Sequence, residues 1–294
     1  MSRERPLCAD TSRADAEPLA ATASRVDRWI LLEYRGLWAH DAVDDSTLSA
    51  AVKAHLRDER RRRPNTRIIF VRRTERRAHD GLCAFVAVTT QEERSLRRLE
   101  LDRYDELLDL DLATAGEPVG HPLLLVCTHG KHDRCCAVYG RPLYDAVSEQ
   151  VDEGWVWQST HVGGDRFAGN LVVLPDGVYY GRVEPSEVWP LLESALAGDV
   201  YLPRYRGRSC HSFPVQAAEL AVREATGLLG VGDVRFVGGA ATEAGWRVRM
   251  AAGGAERVLD VRREEGEPTH LTCSAVELRR PKRFVAESLP APAA

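Results

Sequence analysis

The stretch from His121 to Arg182 constrains the fold more than any other, because short apolar runs alternate there with loops rich in potential metal ligands. Its first run, His121 to Val126, is short enough to be a buried strand. It breaks at once into Cys127-Thr-His-Gly-Lys-His-Asp-Arg-Cys135-Cys136, so three cysteines and two histidines, His129 and His132, follow one strand end. A second loop, His161-Val-Gly-Gly-Asp165-Arg-Phe-Ala-Gly-Asn170, leads into an apolar run from Leu171 to Leu174, the turn Pro175-Asp176-Gly177, and a further strand from Val178.

Between the two loops, Leu143, Ala146, Val147 and Gln150 recur at helical spacing, which predicts a helix over 143–151 with Pro142 in its first turn. Trp155 to Gln158 then reads as a strand that delivers His161 at its end. After the hairpin, Ser186 caps a helix running to Gly198. Strand, loop, helix, strand, loop, hairpin, helix is the order of a thioredoxin-like unit, predicted here over 119–205. Upstream, residues 1–118 read as an α/β region: a polar segment to Ser24 that wraps the surface, a strand from Trp29, a helix from Ser46 to Arg61 capped by Ser46 or Asp45, and strands at 67–71 and 82–88. Downstream, 206–294 predicts a helix from Pro214 and a small antiparallel sheet with strands at 234–237, 246–250, 257–261 and 270–273.

Composition excludes several classes. A formal net charge of -4 argues against a generic nucleic-acid binder, whose affinity needs an excess of basic groups against phosphate. The arginines at 60–63 are interleaved with Asp58 and Glu59 and lack aromatic partners for stacking, so they read as a solvated helix end. No apolar run approaches the length of a membrane span, and the start lacks the apolar core of a signal peptide, so the expected setting is the cytoplasm, with no membrane partner. Seven cysteines in such a chain point to metal or redox use rather than a disulfide framework. Cys83 and Cys273 fall in predicted strands as core thiols, while Cys8 reads as solvent-facing or lightly packed, or else as a lid over the site. No pattern specifies an oligomeric state.

Cys127 and Cys136 span one glycine-containing loop, and His161 and Asp165 flank the Gly163-Gly164 pair. Two ligand pairs on two loops suit a two-iron centre, in which each iron takes two protein ligands and imidazole in place of thiolate raises the potential. Adjacent glycines let the backbone approach inorganic sulfur. The same residue types suit zinc, which gives a second reading as a metallated thioredoxin-like module without redox activity. A third reading is a cysteine-based thiol or phosphatase-like enzyme, because Cys135 to Arg141 has the C-x5-R spacing of a phosphate-binding loop.

These residues resemble the sucrase/ferredoxin-like family, whose members contain a thioredoxin-like [2Fe-2S] ferredoxin domain. The resemblance rests on Val126-Cys127-Thr-His129 with Asp133 and Cys136, on His161-Val-Gly-Gly164 with Arg166-Phe-Ala-Gly-Asn170, on Leu174-Pro-Asp-Gly177, and on Tyr180-Gly-Arg-Val183. It extends to Ser12-Arg13, Glu17-Pro-Leu19, Thr22-Ala-Ser24, Arg206-Gly-Arg-Ser209 and Gln216-Ala-Ala-Glu219. It implies an iron–sulfur electron-transfer protein served by a redox partner such as a reductase. Its cluster ligands are two cysteines of the first loop and two histidines of the second, which fall on Cys127, Cys136, His161 and Asp165. Asp165 stands where the family pattern has its second histidine, so the fourth ligand stays open among Asp165, Cys135, Cys210, His129 and His211. Arg166 and Arg182 are candidates for offsetting the charge of a cluster.

Overall fold

The computed structural model describes residues 5–73 and 81–288. Helix α1 (Cys8–Ala14) opens it, with Cys8, Ala9 and Ser12 buried against the body of the protein and the rest of the helix exposed or half-buried. Strand β1 (Arg28–Glu33) is buried at every position, which places it in the sheet interior. It is followed by α2 (Ala50–Arg62), β2 (Thr66–Arg72), β3 (Leu82–Thr89) and β4 (Arg94–Leu101). Ser49, not Ser46 or Asp45, caps α2, its side chain accepting from the Val52 amide. The arginines at its end are engaged by Asp58 and Glu59, the latter also meeting Arg28.

A two-residue strand, β5 (Glu117–Pro118), leads into the central unit: β6 (Leu123–Cys127), α3 (Arg134–Ser148), β7 (Val156–Ser159), β8 (Leu171–Leu174), β9 (Val178–Tyr180) and α4 (Val188–Leu196). β6 and β7 are parallel, and β8 and β9 add antiparallel beside β6. This is the thioredoxin-like arrangement expected from the sequence. The N-terminal half has the same plan, with β1 and β2 parallel around α2 and β3 and β4 antiparallel beside β1. Antiparallel pairing of β2 with β7 joins the halves edge to edge. With β10 (Tyr205–Arg208), one sheet of ten strands runs in the order β10-β9-β8-β6-β7-β2-β1-β3-β4-β5, so two similar units meet about an approximate twofold.

Helix α5 (Phe213–Thr226) then packs on a second sheet of β11 (Val234–Thr242), β12 (Gly245–Ala252), β13 (Ala255–Glu265) and β14 (Lys282–Ser288). The fourth strand is not 270–273, where Cys273 lies in a turn; that run offers no alternation of buried and exposed positions, whereas Lys282–Ser288 pairs along β13 in unbroken register. A buried ionic cluster ties α5 to the chain before it. Arg223 Nη2 donates to Glu219 Oε1 at 2.9 Å, and the His211 ring lies 3.7 Å from the other carboxylate oxygen.

Burial pushes His211 down to about 4, the attraction of Glu219 being outweighed. A histidine depressed in the folded state contributes stability that is present above its unfolded value of about 6.5 and is lost as pH falls toward 4. We expect about 3 kcal/mol to be lost across that window in the wild type and much less in His211→Gln. Urea midpoints at pH 7.5 and 4.5 check it; equal acid losses in the two proteins would refute the assignment.

Candidate metal centre

β6 and β7 are parallel neighbours, and the register pairs Cys127 with Ser159, so the loops that leave both strands emerge side by side. The first loop turns back at Asp133, whose side chain accepts from the Cys135 amide at 2.8 Å and caps α3. Cys136 therefore sits in the first turn of a helix, where the partial positive charge of the N-terminus favours a thiolate. This helix begins nine residues before the predicted 143, and Pro142 lies inside it. Gly140 explains the close approach: a Cβ there would overlap the carbonyl of Cys127, so only glycine lets α3 pack on the end of β6.

The structure brings Cys127, Cys136 and His161 together, their donor atoms all within 4.8 Å of one another, and sets Asp165 beside them. Asp165 Oδ1 lies 2.9 Å from His161 Nδ1 and accepts from Cys136 Sγ at 3.3 Å. The imidazole approaches that oxygen as an ion pair, yet buried Nδ1 makes no aligned hydrogen bond. A hydrogen bond from Cys136 draws Cys127 well below the usual thiol range, against the cost of burial and with help from His161, while the same bond and burial push Cys136 up. The two sulfurs are thus coupled, each setting the proton affinity of the other. Burial disfavours a charged His161, but Asp165 and the Cys127 sulfur outweigh it and raise the ring to about 9. Burial likewise opposes the charge on Asp165, and His161 nevertheless keeps it below the ordinary carboxylate value.

The second loop rests on a fully buried arginine. Arg206 donates to Gly163 O at 2.9 Å, Asn170 Oδ1 at 2.8 Å, Thr22 Oγ1 at 3.0 Å and Thr22 O at 2.6 Å, and its guanidinium lies over Phe167. Gly164 has φ of 84°, and a Cβ there would strike that guanidinium. Gln216 clasps Ala23 through both its amide atoms, at 3.1 and 3.0 Å. Glu17 holds Arg166 Nε at 2.8 Å, and Ser12 accepts from Arg182. Arg166 and Arg182 therefore bind the N-terminal segment, with Arg166 in a nearly buried ion pair. The scattered motifs at 12–24, 206–209 and 216–219 are one continuous support under the His161 loop.

His129 and His132 serve this loop as neighbours. His129 Nδ1 accepts from the His161 amide at 3.4 Å and Nε2 reaches Ala39 O at 2.7 Å, a pattern that requires the proton on Nε2 and a neutral ring, in keeping with burial lowering its pKa. His132 stacks on His161 with ring centroids 4.0 Å apart. Cys210 is buried, pushed up to about 11 by burial, and joins no ligand cluster among the described residues. Cys135 points instead to Cys8 and Cys273, and this second group was invisible to sequence reasoning because its members come from three distant segments. Cys8 is thus buried rather than solvent-facing, and Cys273 is in a turn rather than a strand. The phosphate-loop reading of Cys135 to Arg141 fails: the whole run is helical and cannot wrap an anion.

In kind, the donor set fits an iron–sulfur group: a cysteine pair on one side, an imidazole and carboxylate on the other, and a buried imidazole nitrogen without an aligned partner. The pairs touch, through Cys136 and Asp165, so seating two irons requires them to part.

A model of the sucrase/ferredoxin-like family matches residues 19–207. Among curated proteins, the chain is 31% identical over 121 residues to altered inheritance of mitochondria protein 32 of Meyerozyma guilliermondii, covering 37% of this chain and 42% of that one. It is 35% identical over 88 residues to the protein of the same name from Eremothecium gossypii, covering 29% of this chain and 26% of that one. The chain thus spans less than half the length of these relatives. The thioredoxin-like [2Fe-2S] ferredoxin from Aquifex aeolicus is similar in structure at 23% identity and a TM-score of 0.27, over 31% of this chain and all of that one.

Proposed function

This chain belongs to the sucrase/ferredoxin-like family, and we propose that it is an electron-transfer protein holding a [2Fe-2S] cluster on Cys127, Cys136, His161 and Asp165. One observation carries the reading: a cysteine pair and a His–Asp pair, delivered by the ends of two parallel strands, converge at one buried point. When bound, such a cluster supplies one-electron chemistry and needs no substrate pocket. The protein's own residues hold it, exclude water and balance its charge. Cys136 and His161 hold the Cys127 thiol well below its usual range, and Arg206 places a positive charge beneath the second loop. The stacked rings of His161, His132 and His40 lead outward from the site and form the face offered to a partner protein such as a reductase.

The cytoplasm suits this reading. All seven cysteines are free, as a reducing compartment favours, and no helix among the described residues is long and apolar enough to cross a membrane. Nucleic acid is not the proposed partner, since the basic run at 60–63 is largely engaged by acidic neighbours. A zinc-bound module is the second reading, favoured by the compactness of Cys127, Cys136 and His161, which suits a single tetrahedral ion.

Colour separates the two. Protein purified anaerobically should be red-brown, with about two irons and two sulfides per chain on analysis. Colourless protein whose only metal sits on Cys127 and Cys136 as zinc would overturn the electron-transfer reading.

A further inference from the structure

We propose that Cys8, Cys135 and Cys273, with Asp133, form a second and separate metal site that takes a single zinc ion. Three sulfurs from three distant segments meet here: Cys8 Sγ and Cys135 Sγ are 3.5 Å apart, Cys135 Sγ and Cys273 Sγ 3.3 Å, and Cys273 Sγ and Cys8 Sγ 3.7 Å. Zinc–thiolate bonds of about 2.3 Å put the sulfurs of a tetrahedral site about 3.8 Å apart, close to this triangle. Two irons bridged by sulfide would spread their ligands over a longer, two-ended array, and no second end exists here among the described residues.

The fourth position belongs to Asp133. Both of its carboxylate oxygens lie 3.9 Å from Cys8 Sγ, and its atoms complete the compact group. The carboxylate is oriented by two backbone amides, Cys135 N at 2.8 Å and Cys273 N at 2.7 Å, as outer hydrogen bonds orient ligands in metal sites. Two more amides face the sulfurs. Ala9 N donates to Cys135 Sγ at 3.4 Å and Cys8 N to Cys273 Sγ at 3.5 Å, so two of the three sulfurs accept backbone hydrogen bonds of the kind that orient metal-bound sulfur. Three thiols and no imidazole make the donor set soft, and a closed four-ligand set matches structural zinc. Binding Zn²⁺ displaces the three thiol protons to solvent, so affinity should rise with pH.

The consequence is structural. The ion ties α1 and the turn around Cys273 onto the N-terminus of α3, next in sequence to Cys136. It would fasten both ends of the described chain beside the first site without contributing to that site's chemistry.

Metal analysis of anaerobically purified full-length protein tests this. About one zinc per chain is expected in wild type and in Cys127→Ser, with iron measured in parallel. Cys273→Ser and Cys8→Ser should each bind zinc at least about tenfold more weakly. Far-UV circular dichroism checks that they fold, and Cys273, in a partly exposed turn, is the milder change. In the second arm, Cys127→Ser is stripped with chelator and titrated with Co²⁺, which should give the intense visible bands of tetrahedral thiolate coordination at one equivalent. Three results overturn the proposal: zinc retained by both Cys8→Ser and Cys273→Ser, zinc lost from Cys127→Ser but kept by Cys273→Ser, or a Cys8–Cys135 disulfide mapped in anaerobic, zinc-free protein. None of these depends on whether iron is found, so this site and the electron-transfer reading can fail independently.

Discussion

Cys127→Ser and Cys136→Ser should each lose bound iron by about tenfold or more, whereas Cys83→Ser and Cys210→Ser should retain wild-type levels. The expectation follows from position. Cys127 and Cys136 are fully buried, joined to each other and to the His161–Asp165 pair, and serine offers a harder, far less acidic donor in place of the thiolate. Cys83 lies in β3 against Arg98, and Cys210 in the turn after β10, so neither sulfur belongs to a ligand cluster among the described residues. Iron and sulfide per chain, with the visible spectrum, are the measurements. If Cys135→Ser bleaches the protein and Cys136→Ser does not, the first loop has been read one residue out of register, and the geometry that pairs Cys136 with Asp165 is not the binding geometry.

That one-residue question shows where the sequence was legible and where it was not. The strand ends at Val126 and Gln158 could be read because short apolar runs stopped abruptly there, and the observed β6 and β7 each run one residue further, to Cys127 and Ser159. The start of α3 was hidden. Gly140 and Pro142 look like breakers, but Gly140 is required by the carbonyl of Cys127 packed against it, a demand that no local pattern encodes. The same limit hid β4, whose buried Leu96, Leu99 and Leu101 stand among arginines on an otherwise charged run. The two halves share a topology, but their residues carry no matching motif, so the likeness emerged only from strand order. The second thiol cluster lay furthest from reach: residues 8 and 273 are placed by packing of α1 and a C-terminal turn, not by any periodicity.

Arg206→Met should destabilise the protein by about 3–5 kcal/mol, the largest loss we expect from any single change outside the ligands. The side chain is wholly buried, and among the described residues no carboxylate stands within ion-pair distance, so its charge is carried by four hydrogen bonds. Burial lowers its pKa to about 10, which still leaves it charged at neutral pH. Removing it strands the part-buried carbonyls of Gly163 and Thr22 and the buried side-chain oxygen of Asn170, and a buried acceptor left without a donor costs about 1–3 kcal/mol. Arg206→Lys should recover only part of the loss, because one ammonium cannot span acceptors arranged around a planar fork. The effect should also be local in its consequence for the site. Gly163 and Asn170 bracket Asp165, so slackening them loosens the His–Asp pair while the Cys127–Cys136 pair, held by β6 and α3, stays in place. Urea unfolding of wild type and both variants, followed by iron content at matched folded fraction, separates stability from ligation. A loss below about 1 kcal/mol in Arg206→Met would show that solvent or the neighbouring chain satisfies those acceptors, and that Arg206 does not hold the second loop.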